Sequence, residues 1–158
     1  MSSKEERSRD KLIYEIIVDR YYLEWKKTTD LDSKASNVTG FAGLLATLTA
    51  GIAEFFPHAH YESLFAVPLA LFILSALLGL WAYWITDFVA LNPDAMIQRY
   101  SDRTEREVLR TYTATASQYT IFNNSLNQRK VRRIYGAFTM LVSAIGLFLV
   151  FSFVNILM

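Results

Sequence analysis

The chain has 158 residues, of which 53% are hydrophobic and 20% are charged, and its formal net charge is +1. This near-neutral balance excludes the bulk positive charge that attracts nucleic acid, so we expect no nucleic-acid partner. The absence of cysteine excludes disulfides, thiolate metal sites and thiol nucleophiles. Charged residues are segregated into blocks between long apolar stretches, which is typical of an integral membrane protein.

The first 34 residues are a charged block without Gly or Pro, and we predict that they form a cytoplasmic N-terminal helix. Its apolar face is expected to pack on other helices of the protein or on the headgroup region of the membrane. That face consists of Leu12, Ile13, Ile16, Ile17, Leu23 and Trp25. No charge then occurs from Ala35 to Ala53, which predicts the first membrane crossing over about residues 36–56.

Small and polar residues follow one edge of this first crossing at heptad spacing. We name this edge the small-residue stripe; it consists of Ser36, Gly40, Gly43, Thr47, Ala50 and Glu54. In one interpretation it lines a pore around which several copies assemble, with a ring of Glu54 carboxylates attracting cations at the outer mouth. In the other it is a close-packed helix seam, and Glu54 only reaches the water interface.

A short loop separates the first two crossings, and Pro57 is expected to end the first helix. His58 and His60, flanked by Glu54 and Glu62, form a loose candidate site for a divalent metal such as Zn²⁺. An ordinary polar external loop explains the same residues and is the favoured interpretation.

The second crossing is predicted over about residues 64–91, because no helix breaker occurs between Trp84 and Leu91. Residues 35–91 would then form a transmembrane hairpin. The third crossing is predicted over residues 134–158.

The sixteen Lys and Arg residues lie only in segments 4–34 and 99–133. By the positive-inside rule, the N-terminus and residues 92–133 are cytoplasmic and the C-terminus is outside, in the inner or plasma membrane. Asp32, Lys34 and Asp87 would then lie at the inner mouth of a pore. The ordinary interpretation of Asp87 is a solvated interfacial acid.

A capping-box pattern, Thr104 followed by Glu107, predicts a helix start in the cytoplasmic segment. From there a heptad pattern runs toward the third crossing through Val108, Tyr112, Thr115, Tyr119, Phe122 and Leu126. Chain length requires either that the second crossing continues as helix into the cytoplasm or that the later helix breaks at residues 123–125. The first alternative is favoured.

No Gly-rich phosphate loop, HExxH motif or nucleophile elbow occurs in the sequence. We therefore expect neither an enzyme nor a cofactor.

Asp32, Lys34 and Ala35 at the start of the first crossing resemble the D-x-K-A motif of the Pycsar-type and SLATT-type transmembrane domains. These are small prokaryotic effectors of antiviral nucleotide signalling. The resemblance implies a charged cytoplasmic helix that leads into a membrane hairpin, and an effector that damages or depolarises the membrane. A third crossing and the absence of a nucleotide-sensing domain depart from that family.

Residues 34–54 also resemble, in layout, the pore helix of Orai calcium channels. Both have a basic residue at the inner end, here Lys34, then Gly40, Gly43 and Thr47, then a glutamate at the outer end, here Glu54. This resemblance implies a pore lined by the first crossing.

The expected fold is all-α, with three transmembrane helices and cytoplasmic helical extensions, assembled as a homo-oligomer. The expected function is a cation-permeable channel or membrane-permeabilising pore, with the lipid bilayer, other copies and metal cations as partners. The alternative is a non-conducting signalling or structural membrane protein, of the antiviral-effector type, that acts through its cytoplasmic helices.

Overall fold

The structure, a computed structural model, describes residues 3–55, 62–85, 88–91 and 103–157. The side chains of residues 3–7, 9, 53–55, 62–64 and 155–157 are not described. The described chain is all-helical, and its helices are α1 (Ser3–Phe55), α2 (Glu62–Tyr83) and α3 (Glu105–Leu157). Each contains an apolar stretch long enough to cross a membrane, which confirms the prediction of three candidate crossings.

Two compact units make up the chain. Unit 1 comprises Met1–Thr29 and Asp87–Gln128, and unit 2 comprises Asp30–Thr86 and Arg129–Met158. Unit 2 holds the apolar stretches of all three helices, whereas unit 1 holds the N-terminal parts of α1 and α3 and most of the charged residues of α1.

In unit 2, α1 runs parallel to α3, and α2 runs antiparallel to both. The antiparallel direction follows from two contacts between α2 and α3: Phe65 lies 5.9 Å from Phe148 between ring centroids, and Ser75 donates a 2.7 Å hydrogen bond to the carbonyl oxygen of Ala137. The core consists of Ala42, Phe72, Leu141 and Ala144. The two alanines of this core, Ala42 and Ala144, let the helix backbones approach closely.

The closest approach of α1 to α2 is at Gly79. A Cβ atom added at this glycine would collide with the hydroxyl oxygen of Thr39 and would lie 3.3 Å from the carbonyl oxygen of Ala35. Gly79 is therefore required by the space between the helices. Thr39 Oγ1 is buried and has no hydrogen-bond partner within the described part of the chain.

In unit 1, α1 and α3 are again parallel, since Asp10 contacts Arg106 and Arg110 while Glu24 contacts Asn127 further along both helices. The apolar face predicted for the N-terminal helix is not the one that packs on α3. Leu12, Ile16 and Leu23 are each more than half exposed, and Asp10, Tyr21 and Glu24 are buried instead. These three residues are therefore not buried within unit 1, and contact of this face with the headgroup region of the membrane stays a prediction.

The predicted continuation of α2 through Leu91 is also wrong, because α2 ends at Tyr83 and residues 88–91 are not helical. Asn123 accepts a 3.1 Å hydrogen bond from Val89 N–H. Its side-chain amide also donates a 3.1 Å hydrogen bond to the carbonyl oxygen of Val89. Leu91 N–H donates to the hydroxyl of Tyr21 at 2.9 Å. These side chains supply hydrogen bonds that the backbone of Val89 and Leu91 would otherwise have made within a helix.

The second alternative for this region, a break at residues 123–125, is wrong as well, because α3 is helical throughout Glu105–Leu157.

The start of α3 agrees with the capping-box prediction. Glu105 is its first helical residue, and Thr104 N–H donates a 3.2 Å hydrogen bond to the carboxylate of Glu107. The heptad prediction along α3 holds at Leu126, which is 9% exposed, but not at Phe122, which is 45% exposed.

We predict that Gly79→Ala lowers the free energy of unfolding by about 1–3 kcal/mol, as overpacking of a close contact does. Thermal unfolding of the purified protein in detergent, followed by circular dichroism, measures the change. Thr39→Ala in the same chain removes the colliding hydroxyl and should recover part of the loss.

Gly146→Ala is the matched control, because a Cβ at Gly146 would meet nothing within 4 Å. It should be neutral or stabilising by up to about 1 kcal/mol, the helix-propensity gain of Ala over Gly. Equal stability of the Gly79 and Gly146 variants would contradict the packing described for α1 and α2.

Candidate functional site

The small-residue stripe lies on a face of α1 that differs from the face used inside unit 2. Ala35, Ala42 and Thr49 are almost completely buried, whereas Gly40 and Thr47 are exposed. The remaining described members of the stripe are Ser36 and Ala50, which are exposed, and Gly43, which is half-buried.

The glycines of the stripe are not needed for packing within the chain. A Cβ atom added at Gly40 or Gly43 would meet nothing within 4 Å. Thr47 turns its hydroxyl back to its own helix and donates a 3.0 Å hydrogen bond to the carbonyl oxygen of Gly43. The stripe is thus a narrow, smooth edge with open space beside it.

The stripe ends at Glu54, close in sequence to the candidate metal ligands of the following loop. The side chains of Glu54 and Glu62, and residues His58 and His60, lie outside the described residues. Among the residues that are described, no group of three or more His, Cys, Asp or Glu side chains is arranged to hold a metal ion.

The three residues expected at an inner mouth have different surroundings. Asp32 accepts a 2.6 Å hydrogen bond from the ammonium group of Lys130, whose side chain is only 3% exposed. Lys34 is exposed, and Asp87 lies outside the described residues. Asp32 therefore neutralises a buried cation of α3.

This pairing gives the D-x-K-A residues separate structural roles. Asp32 holds α1 to α3 through Lys130, and Ala35 lies where α1 meets α2 at Gly79. Lys34 makes no ion pair within the described part of the chain and projects from the same turn.

Sequence reasoning missed a set of buried polar residues between α1 and α3. In unit 1, Asp10 is 8% exposed and accepts hydrogen bonds from Arg106 at 3.2 Å and Arg110 at 3.3 Å. These contacts bridge the two helices near their N-terminal ends.

A second buried polar cluster in unit 1 surrounds Glu24. Its carboxylate accepts hydrogen bonds from Asn127 at 3.1 Å and from Lys27 at 2.6 Å, and Thr28 donates to the amide oxygen of Asn127 at 2.9 Å. A buried polar residue in a helix seam specifies register, because any slip leaves it without its partners.

The buried face of α3 is signalled in the sequence by a recurrence every seven residues. The members of that recurrence are buried, and all are small or polar: Ala116, Asn123, Lys130, Ala137 and Ala144. A seven-residue recurrence is the pattern by which two helices pack along a continuous seam. The recurrence is not apparent from apolar positions alone, because two of its members, Asn123 and Lys130, are polar.

Arg129, Lys130, Arg132 and Arg133 form a basic cluster in the sequence, but Arg133 is engaged within unit 2. Its guanidinium lies 3.8 Å from the ring centroid of Trp81 and donates a 3.1 Å hydrogen bond to the carbonyl oxygen of the same residue. With Lys130 also engaged, Arg129 and Arg132 are the exposed cations of this cluster.

Tyr112 lies in unit 1, well before the apolar stretch that begins at Ile134. Burial raises the pKa of its hydroxyl above the usual 10.0, and the nearby phenols of Tyr14, Tyr22 and Tyr21 raise it further. Its ring packs at a tilt against Tyr14, with 5.4 Å between the ring centroids. The phenol therefore remains protonated and uncharged at physiological pH.

Comparison of the chain with protein-family models, curated proteins and solved structures gave no match. Function must therefore be inferred from the residues described above.

We predict that Asp32→Asn destabilises the protein by about 3 kcal/mol, because it leaves the buried ammonium of Lys130 without a counter-charge. Unfolding in detergent measures the loss. Replacing both partners, as Asp32→Asn with Lys130→Met, should restore most of the stability, since no buried charge then remains.

Asp30→Asn is the control, because Asp30 is exposed on the same helix. It should change stability by less than about 0.5 kcal/mol. If the Asp30 and Asp32 variants were equally stable, the pair would have no structural role.

Proposed function

We propose that the protein is a homo-oligomeric membrane protein whose first helix lines a cation-permeable channel or permeabilising pore. The observation that carries the proposal is the exposed stripe on α1. Gly40, Gly43 and Thr47 form an edge with open space beside it, on the helix that has the lowest mean hydropathy of the three.

Exposure of that edge to lipid is the costlier arrangement. Glycine in a helix is less favourable than alanine by about 1 kcal/mol, and it gains nothing from contact with acyl chains. Against another helix, the same glycines allow close backbone contact, and around an axis they leave room for ions and water. The stripe therefore favours neighbouring copies of α1 over lipid.

Several copies are required for conduction. The core of unit 2 is filled by Ala42, Phe72, Leu141 and Ala144, so the described part of a single unit 2 leaves no conduit through its centre. A cyclic assembly places equivalent stripes around one axis. A ring of Glu54 at the outer end would then attract cations.

The distribution of Lys and Arg supports the orientation of this assembly. Unit 1 would be cytoplasmic, in the inner or plasma membrane, and the C-terminus would be outside. An antiviral effector that depolarises the membrane is one physiological setting for such a pore, as the D-x-K-A resemblance implies.

A second candidate function, non-conducting signalling through cytoplasmic helices, is favoured by unit 1. Its exposed apolar residues Leu12, Ile16 and Leu23 have no partner within the described part of the unit. The contact between α1 and α3 in this unit is held by the buried polar residues Asp10, Glu24 and Asn127. Because such residues bond specific partners, the two helices can change register only from one bonded arrangement to another. A protein partner on that face would act on the same helices that enter unit 2.

We predict that purified protein in liposomes passes monovalent cations and that Gly40→Leu abolishes the flux. The leucine is tolerated by the single chain, because nothing lies within 4 Å of a Cβ at Gly40, but it fills the axis of an assembly. Glu54→Gln should lower cation flux about fivefold, the equivalent of about 1 kcal/mol of Coulomb attraction per ion.

Gly146→Leu is the matched control, since Gly146 is equally open but lies on α3. Its flux should equal that of the unmodified protein. If the unmodified protein forms oligomers but passes no cations, the channel function is wrong and the signalling function takes its place. If Gly40→Leu and Gly146→Leu conduct equally, the pore is not lined by the stripe.

A further inference from the structure

A groove of about 520 Å³ runs between α1 and α3 in unit 2. Because the two helices are parallel, residues at similar positions along the two helix axes lie opposite each other in the groove. The polar lining residues Lys34, Asn37 and Tyr135 lie toward one end, beside Leu31 and Val131, and Phe41, Phe138 and Leu141 lie at the other. The groove thus has its polar and basic side chains toward the end where the charged segments lie, and only apolar side chains at the other end.

The apolar end has no cover within the described chain. Phe41 is 62% exposed and Phe138 is 53% exposed, although both are large aromatic side chains. The volume is within the range of sites that hold small organic ligands, about 300–1,000 Å³. An apolar ligand portion is what these walls fit.

The basic end carries a charge that no acid neutralises. Lys34 is exposed and forms no ion pair with any described residue, because the neighbouring Asp32 is engaged by Lys130. Two further exposed cations, Arg129 and Arg132, begin the unit 2 part of α3, against one exposed acid, Asp30, on α1. This end of the groove therefore fits an anionic group.

We propose that the groove binds one anionic glycerophospholipid of the cytoplasmic leaflet. The ammonium of Lys34 contacts the phosphate, Tyr135 and Asn37 lie at the level of the glycerol backbone, and an acyl chain follows Phe41, Phe138 and Leu141. The inference rests on the membrane location proposed above, but it does not require conduction.

Lipid is favoured over a soluble phosphate because the two ends of the groove have opposite chemistry. A basic residue beside a membrane attracts anionic lipid with a free energy of about 1 kcal/mol. Lys34 supplies this attraction to the anionic headgroup, and the acyl chain does not contribute to it. The apolar walls supply the rest, and a soluble anion leaves them uncovered.

The test is native mass spectrometry of the full chain released from nanodiscs that contain equal amounts of phosphatidylglycerol and phosphatidylcholine. The unmodified protein should retain phosphatidylglycerol in preference. Lys34→Gln should lower the ratio of the two retained lipids about fivefold, the equivalent of about 1 kcal/mol. Lys34→Arg, which keeps the charge, should retain the preference.

Two control variants separate the groove from the general surface. Arg132→Gln removes an exposed cation that does not line the groove and should leave the ratio nearly unchanged. Phe138→Ser should lower retention of both lipids, whereas Phe153→Ser, at an exposed phenylalanine outside the groove, should not.

The inference is overturned if the unmodified protein shows no preference for phosphatidylglycerol, or if Lys34→Gln and Arg132→Gln lower the ratio equally. Alkaline extraction of membranes is measured in parallel. Protein that is extracted by alkali contradicts the membrane location itself and therefore both proposals. Inserted protein that binds phosphatidylglycerol without passing cations contradicts the channel alone.

Discussion

A helix in a three-helix unit can bury only one of its faces, and this constraint determines what α1 offers to its surroundings. Ala35, Ala42 and Thr49 are buried within unit 2, so the edge that carries Gly40 and Thr47 has no partner among the residues that the structure describes. One face of α1 is therefore packed within unit 2 and another is exposed. Association with other copies would cover the exposed face, and the same edge would then decide whether a conduit exists.

The contact between α1 and α3 is specified by polar side chains to an unusual degree. In unit 1 the bonds of Asp10 and Asn127 fix the register, and in unit 2 the pairing of Lys130 with Asp32 has the same effect. Such contacts add little net stability, because desolvation offsets most of the gain, but a shifted register would leave buried charges unpaired. Each unit thus has one favoured arrangement of α1 against α3.

Local patterns in the sequence predicted the three apolar helices and the cap at Thr104, because their causes lie within a few residues. The end of α2 was not predictable in this way, since Asn123, far along the chain, supplies the bonds that replace the helix at Val89. The burial of Glu24 likewise depends on Asn127 of the parallel helix. At the candidate site, spacing revealed the stripe, but its separation from the core face required the positions of α2 and α3.

The stripe can be located directly by cysteine cross-linking in native membranes, since the chain has no cysteine of its own. Single cysteines would be placed at Gly40 and Thr47, and a third at Gly146 as an equally open position on α3. If α1 faces sister subunits, oxidation joins copies through residues 40 and 47 and leaves the Gly146 variant monomeric. Cross-links through residue 146 alone would place the glycine edge of α1 against lipid and contradict the account.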